Sequence, residues 1–577
     1  MENILPLSGK WMLHPLDLSQ VRKYTSAFDD GKAIEVDTQN SIYTNLVTKK
    51  LVENSVRFLS GTYWLLKRSF PISLKDGEKA ILRAPASLLT LVNGKLAESE
   101  DITNLLYDGD NEIGIISTSS FMGNVEIITS KEGVVKFIGV KTKRKSEGKW
   151  QLKIRVMYTS FESQNVPLSI EILGKTYEES FQVEKGSALL ESTLEIEDDV
   201  TEWDIKGYGK QKSYRACILV NGTMFEKQVA FRDLDLVDGA LNLNGHRIFH
   251  MGALWPKGIP ADSRRYEELL KSAIDANMNV LAIEDGHESH MFYSIADRLG
   301  LLVLHKEKNI EFSSHPSYAY VDIDSLKKFK AEKDGSDFKS KCMNAINLER
   351  CVLRARSSDE TRGVLYDNLT STVTEDGKWE PSHYLARRFF SDLVPIMYQE
   401  DGKLKILASN DSAKDETMDI SIKFIRYDGE KRKKFMHTVF VPAHSHREVR
   451  TVDLRKIDVE HEFVYVKLRT DEVHRELTLL LSPIEKCAFL PPQLQLTVQK
   501  AGTSSYSFRV KCQKPAFAVT LEVENVEGRF SDNCFEVRPS SEKMVIFTPY
   551  KDVDIETIKK NVRVYDIYSD WVGKKEE

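Results

Sequence analysis

Apolar and polar residues alternate at short range through most of the first 235 positions. Trp150-Gln151-Leu152-Lys153-Ile154-Arg155-Val156 changes character at every residue, the period of a strand with one face in a core. Ala80-Ile81-Leu82-Arg83-Ala84, Leu89-Thr90-Leu91-Val92 and Tyr214 to Val220 read as strands too. Asn93-Gly94, Asp108-Gly109 and Asn221-Gly222 supply turn chemistry between such runs. Short strands with regular turns predict β-sandwiches. After about residue 240 the period changes. Ser263 to Met278 places Leu269, Leu270, Ile274 and Met278 near helical spacing, with Ser263 as an N-cap. Val280-Leu281-Ala282-Ile283 and Leu301-Leu302-Val303-Leu304 are continuous apolar runs of the buried-strand kind. Glu288 to Leu299 between them reads as a helix stopped by Gly300. Strand, helix, strand, helix, strand at this spacing predicts parallel pairing. Residues 306–340 are polar and irregular. A helix over about Lys339–Arg356 and a strand at Gly363–Tyr366 follow, and from about Tyr384 the chain returns to strands.

The length of 577 residues suits about four domains. A net charge of −6 gives no reason to expect nucleic acid. No run approaches the ~20 apolar residues of a membrane helix, so no membrane association is expected. The first ten residues show no basic stretch leading into an apolar one, and the six cysteines form no C-x-x-C pair. Both point to a cytoplasmic protein with reduced thiols, with the nucleus left open.

Several segments together resemble the β-mannosidases of glycoside hydrolase family 2. They are Gly207-Tyr208-Gly209-Lys210-Gln211, Asn244 to Trp255 with Pro260-Ala261-Asp262, Ala276-Asn277-Met278-Asn279, Leu299 to Val303, Trp379 with His383 to Phe390, and Gly528 to Phe535. They occur in family order over most of the chain. The resemblance implies a multidomain, mostly β fold with a jelly-roll-like N-terminal sandwich, immunoglobulin-like β-sandwiches and a truncated (β/α)8 barrel in the middle. The implied domains are a sugar-binding-like jelly roll at 1–145, an immunoglobulin-like sandwich at 146–235, the barrel remnant at 236–384, a second immunoglobulin-like sandwich at 385–490 and a C-terminal sandwich at 491–577.

The resemblance also implies a retaining glycosidase, which needs two carboxyl groups about 5–5.5 Å apart at the C-terminal ends of barrel strands. In the family the acid/base Glu follows an Asn on the fourth strand and the nucleophile Glu lies on the seventh. Here the one Asn-Glu pair, Asn111-Glu112, falls in the first sandwich, and no Ser-Glu-aromatic-Gly segment follows Asn244. From Asn244 to His383 there are about 140 residues, whereas a full barrel takes about 250. The block around strands four to seven is therefore expected to be absent, and with it both glutamates. No catalytic residue is assigned.

Five residues stand where a sugar pocket would be: Trp255, Asp262, Glu284, Asp285 and Glu288. The three acids after the second barrel strand, with His287 and His290, could form a metal site or a new acid/base pair. The plainer reading is that they cap the next helix and oppose its dipole. Trp255 and Asp262 could keep weak carbohydrate binding or serve as inherited packing. His444-Ser445-His446 has metal-like spacing without a third ligand nearby, so neither a metal nor a cofactor is expected. The basic runs Lys141–Lys145 and Lys431–Lys434 read as solvated turns. A barrel short of strands leaves open edges, which proteins cover or pair. The 306–340 segment, another protein, or self-association is expected to cover them. The sequence reads best as a pseudoenzyme that binds protein. An active glycosidase with a relocated carboxylate pair and a non-catalytic carbohydrate-binding protein are the alternatives.

Overall fold

Alternation becomes paired antiparallel strands through the first 230 residues of the computed structural model. It describes residues 2–572 apart from 8, 17–32, 39–41, 43–44, 47–48, 52–62, 85–87, 119–124, 238–239, 257–262, 285, 310–311, 331–336, 359, 375–376 and 540. The first sandwich packs a six-stranded sheet, with Tyr63–Ile72 and Gly109–Thr118 at its centre, on a three-stranded sheet of Asn3–Pro6, Glu126–Ser130 and Lys79–Arg83. Trp11, Trp64, Leu66, Ile113 and Ile115 fill the space between. Asn93 and Gly94 take φ of 50° and 77°, as the tight turn between two strands of the larger sheet requires. Asn111 and Glu112 lie inside the strand Gly109–Thr118 rather than on a turn. Asn111 is buried, and Glu112 pairs with Lys67 at 3.1 Å.

The second sandwich begins earlier than residue 146. Gly133–Ser146 pairs along its length with Lys149–Ser160, so the basic run Lys141–Lys145 is part of a strand, not a turn. That three-stranded sheet faces a four-stranded one built on Gln164–Ile172 and Tyr214–Val220. Two further sandwiches follow the central unit, over 393–480 and 495–565.

Among the described residues the central unit has six parallel strands and four α-helices: β1 (His250–Leu254), α1 (Ser263–Asp275), β2 (Val280–Ile283), α2 (His290–Leu299), β3 (Leu302–His305), β4 (Tyr318–Tyr320), β5 (Lys327–Phe329), α3 (Phe338–Arg356), β6 (Gly363–Tyr366) and α4 (Pro381–Phe389). The order across the sheet is β4-β3-β2-β1-β6-β5. The last long strand pairs with the first, His250 to Gly363 through Ala253 to Tyr366. At Gly252 an added Cβ would lie 2.0 Å from the Val280 carbonyl oxygen, so glycine is needed for β1 and β2 to approach. Two strands more are present than the sequence suggested. Both come from the polar 306–340 segment: β4 extends β3 at one edge and β5 extends β6 at the other.

Hydrogen bonding does not run from β4 to β5 among the described residues, so the sheet is not a closed barrel. Only residues 321–326 separate these two strands, and this link bridges the edges covalently. One face of the sheet gathers Val280, Ala282, Leu302, Leu304, Ala319 and Leu365 with Val321, Ile323 and Leu326 of the link. Each larger side chain contributes roughly 1.5–3 kcal/mol by burial. The hairpin residues Leu241, Leu243 and Ile248 join the same cluster. The other face, with Met251, Leu281, Val303 and Val364, packs on Leu269, Leu270, Phe292 and Leu348 of the helices. No helix among the described residues is long and apolar enough to cross a membrane.

Arg356, the last residue of α3, is fully buried. It donates to the carbonyl oxygens of Phe389 and Ser391 and pairs with Asp411 of the third sandwich. Removing one partner of a buried, hydrogen-bonded pair strands the other charge. Arg356→Ala is expected to cost about 3–5 kcal/mol in denaturant unfolding of this part of the chain. Arg356→Lys should not restore it, because an ammonium lacks the planar fork that reaches three acceptors. A loss within about 0.5 kcal/mol, the ordinary surface range, would contradict this.

Candidate active site at the mouth of the parallel sheet

The C-terminal ends of the parallel strands open into a cavity of about 280 Å³ whose lining includes Trp255, Ile283, Glu284, Glu288, Asp367 and Asn368. Strand β1 delivers Trp255, whose backbone N–H continues the ladder to the Ala282 carbonyl at 2.8 Å. The indole is buried and packs on Phe292, with ring centres 4.8 Å apart.

Glu288 does not sit in the first turn of α2. Ser289 is the N-cap there, accepting from the Phe292 N–H, and Gly300 ends the helix in the left-handed region. Glu288 precedes the cap and turns inward. The Trp255 indole N–H donates to its Oε1 at 2.9 Å, and the Tyr266 hydroxyl donates to its Oε2 at 2.5 Å. Each carboxyl oxygen thus holds a donor. Burial raises the Glu288 pKa above the usual carboxylate range, and the two hydrogen bonds only partly oppose that rise.

Glu284, just after β2, is engaged differently. Lys328 of β5 donates to it at 2.7 Å, and Lys306 lies 4.0 Å away. Both lysines also pair with Asp324 of the link between β4 and β5, at 3.0 and 2.9 Å. These four charges tie the rim together where the bridging link crosses. Asp367 follows β6, and its backbone N–H is held by the Phe329 carbonyl at 2.9 Å. The Asn368 side chain caps the next turn through the Thr370 N–H. Below the mouth, the enclosed face of the sheet is apolar.

The histidines near the mouth are part of an aromatic stack. His287 stacks between His305 and Phe312, at 4.8 and 4.9 Å. Burial, reinforced by His287, lowers the His305 pKa to about 3, so it is neutral and pairs with the Tyr293 hydroxyl at 3.0 Å. His290 meets His315 at 3.0 Å, and His315 meets Asp297 at 2.6 Å. Among the described residues no group of three or more ligand-type side chains could hold a metal ion. His444, in a turn at φ 53°, stacks on Tyr208.

Of the five sequence candidates, Trp255, Glu284 and Glu288 come together here, while Asp262 and Asp285 lie outside the described residues. Tyr266, Lys328 and Asp367 were not singled out. Asp367 follows a buried strand at its C-terminal end, a position that signals such a site. Nothing local in the sequence marks Tyr266 or Lys328.

Residues 489–570 match Ig_mannosidase, an Ig-fold domain family. A β-D-mannosidase from Dictyoglomus thermophilum superposes with a TM-score of 0.79 at 15% identity, over 98% of this chain and 99% of that one. An exo-chitosanase, CsxA, from Amycolatopsis orientalis gives 0.75 at 12% identity over the same shares. In sequence, β-mannosidase of Rattus norvegicus is 29% identical over 184 residues, 27% of this chain and 20% of that protein. The chain shares its fold with these solved glycosidases and part of its sequence with curated β-mannosidases. A probable β-mannosidase of Caenorhabditis elegans is 23% identical over 189 residues, 28% of this chain and 21% of that protein. The aligned stretches span about a fifth of these curated relatives' length. The likeness to solved structures is one of fold, and the immunoglobulin-like assignment of the last sandwich rests on the Ig_mannosidase match.

The raised pKa of Glu288 has a stability sign. The folded state holds the proton more tightly than the unfolded chain, so this group makes folding less favourable as pH rises above its unfolded value of 4.5 towards its raised folded value. Glu288→Gln keeps an acceptor for one donor and removes the titration. Its melting temperature relative to wild type should therefore rise between pH 5 and pH 8. Parallel melts at the two pH values with a constant difference would refute the assignment.

Proposed function

We propose that this β-mannosidase-like protein is catalytically silent and serves as a protein-binding scaffold in the cytosol. One observation carries the reading: two of the described carboxylates at the mouth, Glu284 and Glu288, are drawn into structure. Glu288 is held by Trp255 and Tyr266, and Glu284 by Lys328. The apolar filling of the enclosed face supports the same view, since a retaining mechanism needs two facing carboxyl groups about 5–5.5 Å apart. Trp255 then acts as packing, and protein surface is the property left for selection to use. The 306–340 segment already occupies both sheet edges, so a partner need not bind there.

Purified protein given an aryl β-mannoside is expected to show no turnover above that of a mock purification. Turnover that persists through purification and falls at least about 100-fold in Glu288→Gln or Asp367→Asn would overturn the proposal.

One observation favours a living glycosidase instead. A buried carboxyl with raised pKa shares the mouth with a second acidic side chain, Asp367, and a retaining glycosidase works with two such groups. The same two variants decide between the readings. A sugar-binding module without catalysis is the remaining possibility. Calorimetry with mannose and mannobiose at millimolar concentration should give no saturable heat if the scaffold reading is right.

A further inference from the structure

The basic run Lys431–Lys434 lies in a strand, not a turn, and its surroundings have no role in the mouth. In the third sandwich, β7 (Glu416–Arg426), β8 (Lys431–Val441), β9 (Glu462–Arg469) and β10 (His474–Leu480) form one sheet in the order β8-β7-β9-β10. Strand β8 has 11 residues and, among the described residues, pairs only with β7. Its other edge presents backbone N–H and C=O groups along that length.

On the outer face of this sheet, Lys423 of β7 lies directly opposite Lys434. Its neighbour on the other side is Tyr465 of β9, and Lys467 is one step along. Arg538, from the last sandwich, lies 3.6 Å above the Tyr465 ring. Glu476 serves Lys467 at 3.7 Å and Arg538 at 3.2 Å. No described carboxylate comes within ion-pair distance of Lys423, Lys431 or Lys434. Partial burial, and then the fields of Lys431, Arg538, Lys434 and Lys467, hold the Lys423 ammonium below its ordinary pKa. Like charges facing each other across two strands are destabilising, and this cluster forms in a chain of net charge −6. Further along β8 the same face carries Met436 and Phe440, 59% and 48% exposed.

Lysines on an edge strand commonly block unwanted pairing. That role accounts for Lys431 and Lys434. It does not account for Lys423, which is on an inner strand and adds repulsion without guarding an edge. Cations in excess, apolar side chains beside them and an open strand edge together describe a complement: an extended acidic polypeptide. We propose that β8 is a docking strand for an acidic segment of a protein partner. The segment would add to the sheet as a further strand, placing carboxylates against Lys423, Lys431 and Lys434 and apolar residues on Met436 and Phe440. This rests on the protein-binding part of the proposed function and names the surface that would do it.

The test uses the full chain and an eleven-residue alternating peptide, with Thr at every second position and, on its other face, Glu opposite Lys431 and Lys434 and Val opposite Met436 and Phe440; binding is followed by fluorescence anisotropy at low and high salt. Saturable, salt-sensitive binding is expected. Lys423→Glu with Lys434→Glu, checked for folding by circular dichroism, should weaken it at least about tenfold. Methylating alternate peptide nitrogens should abolish it, since strand addition needs main-chain hydrogen bonds. No saturable binding at millimolar peptide would overturn the proposal. So would poly-L-glutamate binding as tightly as the alternating peptide, or the methylated peptide binding equally well. If the double variant self-associates while peptide binding is unchanged, the lysines only guard the edge and the proposal fails. Turnover of an aryl β-mannoside would overturn catalytic silence and leave this result standing.

Discussion

Parallel strands present two faces and two edges that water does not stabilise, so such a sheet needs cover on every side. In this chain six short strands meet that demand with less material than a closed eight-stranded ring. The helices cover one face, and apolar side chains fill the other. The edges are met by β4 and β5, two three-residue strands joined by the link of residues 321–326. The link also carries inward-facing Val321, Ile323 and Leu326, so one short segment pairs both edges and completes the core. The ion network of Glu284, Lys306, Asp324 and Lys328 holds the same crossing at its rim.

This solution restricts what the mouth can do. The enclosed face is lined with apolar side chains, and what opens above it is a cavity of about 280 Å³, at the small end of ligand sites. Two of the acids that reach it are anchored by the elements that close the structure. Glu284 belongs to the rim network, and Glu288 ties the indole after β1 to Tyr266 of α1. Reuse of either acid for chemistry would compete with these contacts. A raised carboxyl pKa in this setting needs no catalytic explanation, because burial alone supplies it.

The elements whose residues repeat strongly were legible in the sequence. The helix spanning Glu288 to Leu299 with Gly300 as its stop differs from α2 by two residues at its start. The buried strands at Val280, Leu302 and Gly363 stand where their apolar runs lie. Strands β4 and β5 were not legible. Tyr318-Ala319-Tyr320 and Lys327-Lys328-Phe329 are too short to show a period, and the sheet edges that order them come from residues distant in the chain. The same limit misplaced Lys431–Lys434: a run of like charges reads as solvent-exposed, which it is, but an edge strand is exposed too. In the site, Glu284 and Glu288 were found because they follow a strand end, and Trp255 because it stands where the resembled family lines its sugar pocket. Their partners Tyr266 and Lys328 were not, since a hydrogen bond across 22 residues or an ion pair across 44 leaves no local trace.

Where the resemblance to the β-mannosidases is closest, from Trp379 through Phe390, the residues have packing work that does not depend on a substrate. His383 is fully buried, with Ser272, Tyr366 and Thr372 around its ring nitrogens, and burial lowers its pKa to about 3. Trp379 packs on His383 and Tyr384 and receives the Arg529 guanidinium from the last sandwich. Arg388 donates to the carbonyl oxygens of Cys534 and Asn533 and pairs with Asp532. Helix α4 therefore joins the parallel sheet to the C-terminal sandwich, while Arg356 joins it to the third. These contacts keep their structural value whether or not a sugar is cleaved. The segments after β2 and β6 differ in kind, because they form the mouth of the parallel sheet rather than a joint between domains. A fold held by interdomain contacts of this sort can outlive its chemistry, since removing the substrate removes the constraint on the mouth but none of the constraint on α4.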